Sequence, residues 1–480
     1  MIGLKVYICT TYTFYLLGST ILWIVLNSSY HFYRIYYSDT PNKRQYEYII
    51  VGTGTAGSII AAGIPSNDVL VLEAGSMRSS LMDVPLLQPL LQGTDYDWKY
   101  RTEPQKYACA ALNENRSAWP MGKVFGGTHM LNNMIHYKAE TKDFDGWFDH
   151  EDELHSFLEY FDRWGEDEMI PIELPTFETG LGTSFVKAAV QAGLEKNLFY
   201  KPNVTTRYGR RSTASHYCWE YLQQKHEITL NAQVTRVIVQ NHKATGLILD
   251  KAGKTYHIKA SKGIILAAGT IGSSKILLQS GIGPKEHLKA AGIETIVNLP
   301  VGENLQDHIT TGMDLVLISK QMPIQPIDLI HPSNIWNYVI NDGMNSSLSF
   351  GGCECLGFVN LESKFSHKLG FMVLPVGITI DAGLHLRNVI NLREDIWQNY
   401  FKTLVDQGLQ SVTILPILLH PKSKGYVRIE NANLHSNIII DPNYLREKED
   451  IEILITGLKI LQNIDAKVFF SEVIRTGSAT

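Results

Sequence analysis

Apolar residues fall into short blocks along the chain, and the spacing inside each block predicts its element. Tyr48–Val51 is an apolar run rich in β-branched side chains and Val69–Leu72 is a second, so both read as strands. The stretch between them reads as a glycine turn followed by a helix, which Pro65 keeps short. Ile264–Ala267 predicts another buried strand, ending in small residues. From Ile228 the run ITLNAQVTRVIVQ, followed by alternating residues, predicts an antiparallel hairpin that makes a small antiparallel sheet. WFDHEDELHSFLEYFDRW, from Trp147 to Trp164, is acidic, aromatic and helical in spacing. Beyond Thr310, strand-like runs alternate with turns in MDLVLI, SFGGCECLGFVN, VTILPILLHPKSKGYVRI and NIIIDPNYL, and Glu449–Ile464 returns to helical spacing.

The first two strands bracket Gly52, Gly54 and Gly57 in a G-x-G-x-x-G spacing, and the second ends in Glu73. With 38 glycines in 480 residues such a spacing recurs by chance, so the strand, helix and acidic strand end in the required order carry the inference. Gly52 lets the chain turn sharply, Gly54 lets a pyrophosphate approach the backbone, and Gly57 lets the helix pack close to the strand. The N–H groups at the helix start then hold phosphate. Glu73 is placed to accept from ribose hydroxyls, and its charge would repel a 2′-phosphate, which favours FAD or NAD over NADP.

Composition narrows the class without changing that picture. A chain of 480 residues with 44% hydrophobic residues is long enough for two or more domains. A net charge of −5 with 19% charged residues offers no basic field, so nucleic acid is not an expected partner. Five cysteines, Cys9, Cys109, Cys218, Cys353 and Cys355, support neither a disulfide framework nor a metal site. Val6–Leu26 is uncharged and mostly apolar, flanked by Lys5 and by Arg34, Lys43 and Arg44. It reads as a signal peptide or a single membrane anchor leading into the secretory pathway, with a buried core helix as the other reading.

The segment Trp119-Pro-Met-Gly-Lys-Val-Phe-Gly-Gly-Thr-His-Met-Leu-Asn-Asn-Met makes the chemistry more specific. Gly122–Ala139 resembles the first signature of the glucose-methanol-choline (GMC) oxidoreductases, and the preceding EPQ and WP resemble the arthropod glucose-dehydrogenase-like branch. Gly126 and Gly127 permit close approach to a flat ligand, and Asn132 with the backbone of Asn133, Met134 and Ile135 can bond the polar edge of an isoalloxazine. Phe125, His129, His136 and Met121 depart from the pattern. The second block, Gly269–Gly283, matches the other GMC signature at its constrained positions, and PVGENLQDH (Pro300–His308) continues it.

The resemblance implies an α/β fold: an FAD-binding Rossmann-like domain built from residues 46–140 and 212–310, and an α+β substrate domain with an antiparallel sheet from 141–211 and 311–480. Residues 1–45 would be the signal or anchor segment and linker. It implies FAD as cofactor and a small-molecule alcohol or sugar as substrate, oxidised at CH–OH with the hydride passing to flavin N5. It also implies further cofactor contacts from Thr55, Ala56, Ala74, Val124, Thr128, Val234, Ala268 and Gly269. Val234 reads equally as an ordinary buried strand valine, and His129 and His308 read as scaffold rather than base. In the family the catalytic histidine lies in an H-P-x-G-T run that does not occur before Thr480, so no catalytic residue is assigned and the C-terminal part is expected to be missing from this chain. The alternatives are a catalytically inactive, flavin-binding or scaffold member of the family, and a different Rossmann enzyme using NAD, against which the two signatures argue.

Overall fold

The computed structural model describes residues 40–464 apart from 145–146, 165–169, 313–314, 319–323, 325–330, 341–342, 345, 362–367, 376 and 378–384. The apolar segment at residues 6–26 lies outside the described residues. In chain order the elements that place the site are β1 (Gln45–Val51), α1 (Thr55–Gly63), β2 (Val69–Leu72), α2 (Leu181–Gln191), β3 (Phe199–Tyr200), α3 (Ala214–Lys225), β4 (Glu227–Thr229), β5 (Gln233–Gln240), β6 (Lys243–Lys251), β7 (Lys254–Leu266) and α4 (Gly269–Gln279). They continue as β8 (Ile309–Thr310), β9 (Leu315–Ile318), β10 (Cys355–Asn360), β11 (Lys368–Leu374), β12 (Gln410–Leu418) and α5 (Lys448–Ile464).

The first sheet runs β4-β2-β1-β7-β6-β5. β1 lies parallel between β2 and β7, with Ile49 opposite Leu70 on one side and Ile264 on the other. Period-two alternation divides the strand residues between two cores. Ile49, Val51, Leu70 and Leu72 pack with Val234, Leu247, Leu249 and Ile276. Ile50, Val69 and Val71 pack on the opposite face with Ala61 of α1, Phe125, and Cys218 and Leu222 of α3. Ile49, Ile50, Leu70 and Val71 are fully buried, and each contributes about 1.5–3 kcal/mol by leaving water. α1 is nine residues long and stops at Ile64, whose extended backbone (ψ 128°) is the conformation a following proline imposes.

Two features of this sheet differ from the sequence-based expectation. The hairpin strands do not form a separate small sheet, because β7 is thirteen residues long and serves both halves. Its first part pairs antiparallel with β6 up to Lys259, and its second part pairs parallel with β1. Past Lys259, therefore, β7 has a strand on one edge only among the described residues. That explains the second difference: Ile264, Ile265 and Leu266, expected to be buried, are half-buried.

The second sheet is antiparallel, in the order β8-β12-β11-β10-β3, with β9 also paired to β12. Helices α2 and α5 cover one of its faces through Phe185, Ile453 and Leu454, which pack on Phe199, Phe371 and Ile414. Between the sheets, Trp119 Nε1 donates to the Tyr444 hydroxyl at 3.1 Å, and that hydroxyl donates to Asp307 at 2.5 Å, so three separated motifs share one hydrogen-bond chain.

Candidate functional site

Each glycine of the first turn is fixed by a different contact. Gly52 sits at φ +99°, and a Cβ there would lie 2.4 Å from the Ala267 carbonyl oxygen at the end of β7. A Cβ on Gly57 would lie 2.0 Å from the Gly52 oxygen. Gly54 is the opposite case, since no heavy atom stands within 4 Å of its Cβ position. Steric necessity thus accounts for Gly52 and Gly57, while Gly54 faces open space beside the start of α1. No side chain caps that helix and its first turn carries no acidic residue, so its leading N–H groups and positive dipole end stay available to an anion. Thr55 and Ala56, in that first turn, are exposed.

Glu73 is buried at the end of β2, and its carboxylate is held by its own chain. Oε2 accepts from the Thr53 amide at 3.0 Å and the Thr53 hydroxyl at 2.6 Å, and Oε1 accepts from the Gly75 amide at 2.9 Å. Burial pushes its pKa up, and these hydrogen bonds oppose the rise. Thr53, between the first two glycines, was not singled out from the sequence; nothing in the pattern marks it, and the strand-to-strand contact alone reveals it. Its hydroxyl also accepts from the Gly126 amide at 3.3 Å.

That last bond brings in the second loop. Gly126 and Gly127 have φ +105° and +63°, and a Cβ on Gly127 would come 2.9 Å from the Gly54 Cα, so the two glycine turns touch. Val124 is fully buried and bridges Ser76, just past Glu73 and the half-buried Ala74. Thr128 is exposed, and its hydroxyl accepts from the Gly122 amide at 3.2 Å. Asn132 and Asn133 are exposed, Met134 is buried at φ +58°, and half-buried Ile135 pairs with Val204. Ala268 and Gly269 open α4 beside Gly52; Gly269 has φ +74°, and the nearest atom to a Cβ there is Met121 Cε at 3.8 Å. Val234 is buried in β5, whose approach is stitched to the site by Ala232 donating to the Glu73 carbonyl and Asn231 to that of Gly75.

The positions that depart from the signature have local explanations. Phe125 is fully buried and meets Trp219 of α3 edge to face, with centroids 4.8 Å apart. Met121 packs into the apolar cluster of Ile271, Leu305, Val427 and Ile440. His129 joins two threonines: Nδ1 lies 3.2 Å from the Thr55 hydroxyl and Nε2 lies 2.7 Å from that of Thr205. Because the Thr205 hydroxyl also donates to the Met134 carbonyl, His129 Nε2 is the donor and Nδ1 accepts from Thr55. Burial, with Arg211, His216 and His136 nearby, pushes the His129 pKa down to about 4. A neutral imidazole with both nitrogens engaged is a brace. His308 is also shifted down, chiefly by burial.

Arg211 is the other group the sequence did not reveal, since its partners lie 79 to 129 residues earlier in the chain. Nε donates to the Met82 carbonyl at 2.9 Å, and Nη1 donates to the His129 carbonyl at 2.8 Å and to Asn132 Oδ1 at 3.0 Å. Two polar cavities of about 560 and 610 Å³ lie apart from these loops, and none of the expected contact residues lines either.

Open space at Gly54 before an uncapped helix start, beside turns that Gly52, Gly126 and Gly127 make at positive φ, leaves these residues able to accommodate a dinucleotide. Comparison with known proteins agrees. Residues 46–310 match the family model described as GMC oxidoreductase. The chain is 26% identical over 452 residues to a glucose dehydrogenase (FAD, quinone) of Drosophila melanogaster, covering 87% of this chain and 69% of that protein. It is 33% identical over 451 residues to an oxygen-dependent choline dehydrogenase of Sinorhizobium fredii, covering 85% and 75%. Among solved structures, pyridoxine 4-oxidase from Mesorbium loti superimposes with a TM-score of 0.70 at 23% identity, over 91% of this chain and 84% of that one. A formate oxidase of Aspergillus oryzae gives 0.71 at 18%, with the same coverage. At these identities the structural likeness is one of fold.

Proposed function

Because the chain belongs to the GMC oxidoreductase family, we propose that it is an FAD-dependent oxidoreductase acting on the CH–OH group of a small alcohol or sugar. The observation that carries this is the meeting of the two glycine turns at Gly54 and Gly127 in front of an uncapped helix, with a buried carboxylate behind them. FAD, when bound, takes up the hydride that leaves the alcohol carbon.

The chain's own residues would supply the rest. Gly54, Thr55, Ala56 and Gly57 would hold the pyrophosphate through backbone N–H groups, and Gly52 would keep the turn tight. Thr53 takes both lone pairs of Glu73 Oε2, but Oε1 accepts only from the Gly75 amide among the bonds described and keeps a second lone pair, which is what a ribose hydroxyl requires. Ala74 and Val234 would flank the adenosine end, while Val124, Thr128, Ala268 and Gly269 would line the middle. Asn132 and the backbone of Asn133, Met134 and Ile135 would meet the isoalloxazine. We assign no base among the described residues. Residues 6–26 we propose as a signal or single membrane anchor for the secretory pathway; a fusion that stays cytosolic would reject that.

Titration of flavin-stripped protein with FAD tests the assignment. Glu73→Ala is expected to weaken binding by about 1.5–3 kcal/mol, the size of one hydrogen bond to a charged group. Unchanged FAD affinity would sink the ribose contact. Anaerobic bleaching of the flavin by an added alcohol then distinguishes a working oxidoreductase from an inactive flavin-binding protein.

A further inference from the structure

We propose that Arg211 is a positioning residue for the flavin contact at Asn132, an inference that rests on the FAD assignment above. Arg211 is 2% exposed, and none of its hydrogen bonds is to a carboxylate. Its Nη2 has no hydrogen-bond partner among the described residues. A buried guanidinium held by two carbonyls and one carboxamide is costly, and burial pushes its pKa down to about 10. The nearby Asp83 carboxylate bonds instead to His216 at 2.8 Å and Arg78 at 3.3 Å. The arrangement gives little back as an ion pair, so what it accomplishes is geometric.

The geometry falls on Asn132. Its Oδ1 receives Arg211 Nη1 at 3.0 Å and the Met134 amide at 3.1 Å. Both of those groups can only donate, so the atom between them is the carboxamide oxygen and the amide cannot flip. Asn132 is exposed, and no acceptor among the described residues meets its Nδ2. Two N–H donors are therefore held outward in one orientation, on the loop that also carries Gly127. The same pair of bonds supports Met134 at φ +58°, a conformation that a methionine adopts only when its surroundings impose it. A carboxamide fixed beforehand loses less freedom when it engages an acceptor on the flavin.

The test is a double-mutant cycle on flavin-stripped protein titrated with FAD, read by quenching of flavin fluorescence, with thermal denaturation of every variant. Asn132→Ala and Arg211→Met are each expected to raise Kd about fivefold, the size of one neutral hydrogen bond. The double variant should bind no more weakly than either single one. Arg211→Lys, which can reach Oδ1 without also holding both carbonyls, should fall between wild type and Arg211→Met. A double variant weakened by the product of the two factors, about 25-fold, would overturn the proposal, and so would an unchanged Kd in Arg211→Met. If Arg211→Met does not fold, the same cycle is run with Arg211→Lys and decides the matter in the same way. A wild-type protein that does not quench FAD would instead remove the assignment on which the proposal rests.

Discussion

The turn after β1 and the loop of residues 122–135 meet at Gly54 and Gly127, yet they are held in place by opposite means. The first is fixed locally, by glycines whose missing side chains let backbone touch backbone and by a buried carboxyl group, Glu73, wrapped in three donors from Thr53 and Gly75. The second is fixed from a distance, by a positive charge and two hydroxyl groups reaching in from residues 53, 205 and 211. A pyrophosphate needs bare N–H groups and no side chain, which a local glycine motif provides. A flat ring system needs donors aimed at its edge, and long-range side-chain contacts set their direction.

The largest expected effect breaks the local side of this contrast. Gly57→Ala should cost about 3 kcal/mol or more, since its Cβ would overlap the Gly52 carbonyl, and should lower the urea midpoint sharply. Thr53→Val keeps the shape but takes the hydroxyl donor from a buried carboxylate, an expected loss of about 1.5–3 kcal/mol by the same measurement. Gly54→Ala sharpens the comparison, because its Cβ would enter open space: stability should hold while FAD affinity falls about tenfold, measured by flavin titration. A Gly54→Ala protein that unfolds would contradict the division of labour among the glycines.

The smallest effect belongs to His129, on the long-range side. Its folded pKa is depressed from 6.5 to about 4, so between those values the unfolded chain binds its proton more readily than the native protein. The stability it contributes is complete above pH 6.5 and is lost as pH falls toward 4. His129→Gln should flatten that part of the stability-against-pH curve relative to wild type, as followed by thermal denaturation across the window. Equal slopes in both proteins would mean that burial beside Arg211 does not hold His129 neutral.

How far the sequence revealed this follows from the same contrast. Gly52, Gly54, Gly57 and Glu73 lie within 22 residues, so spacing and strand pattern expose them together. Thr53, Thr205 and Arg211 act on residues that only the folded chain brings near, and a lone Thr or Arg leaves no periodic trace. The half-buried end of β7 was misread for a related reason: the apolar run Ile264–Ala267 has the pattern of a fully enclosed strand, while burial depends on which strands pair with it. In the second sheet β9, β10 and β12 were legible because apolar runs bounded by turns mark them, whereas β3, β8 and β11 were not read as strands, and neither was the order, with β3 joining β10 across some 150 residues.

Extraction of the cofactor from the purified protein tests the central claim most directly. Releasing any bound small molecule by heat or acid, identifying it by chromatography and mass, and dividing by protein concentration should give FAD close to one per chain. A protein that carries NAD, FMN or no nucleotide, and takes up no FAD when it is supplied, would contradict the assignment of the two meeting glycine turns.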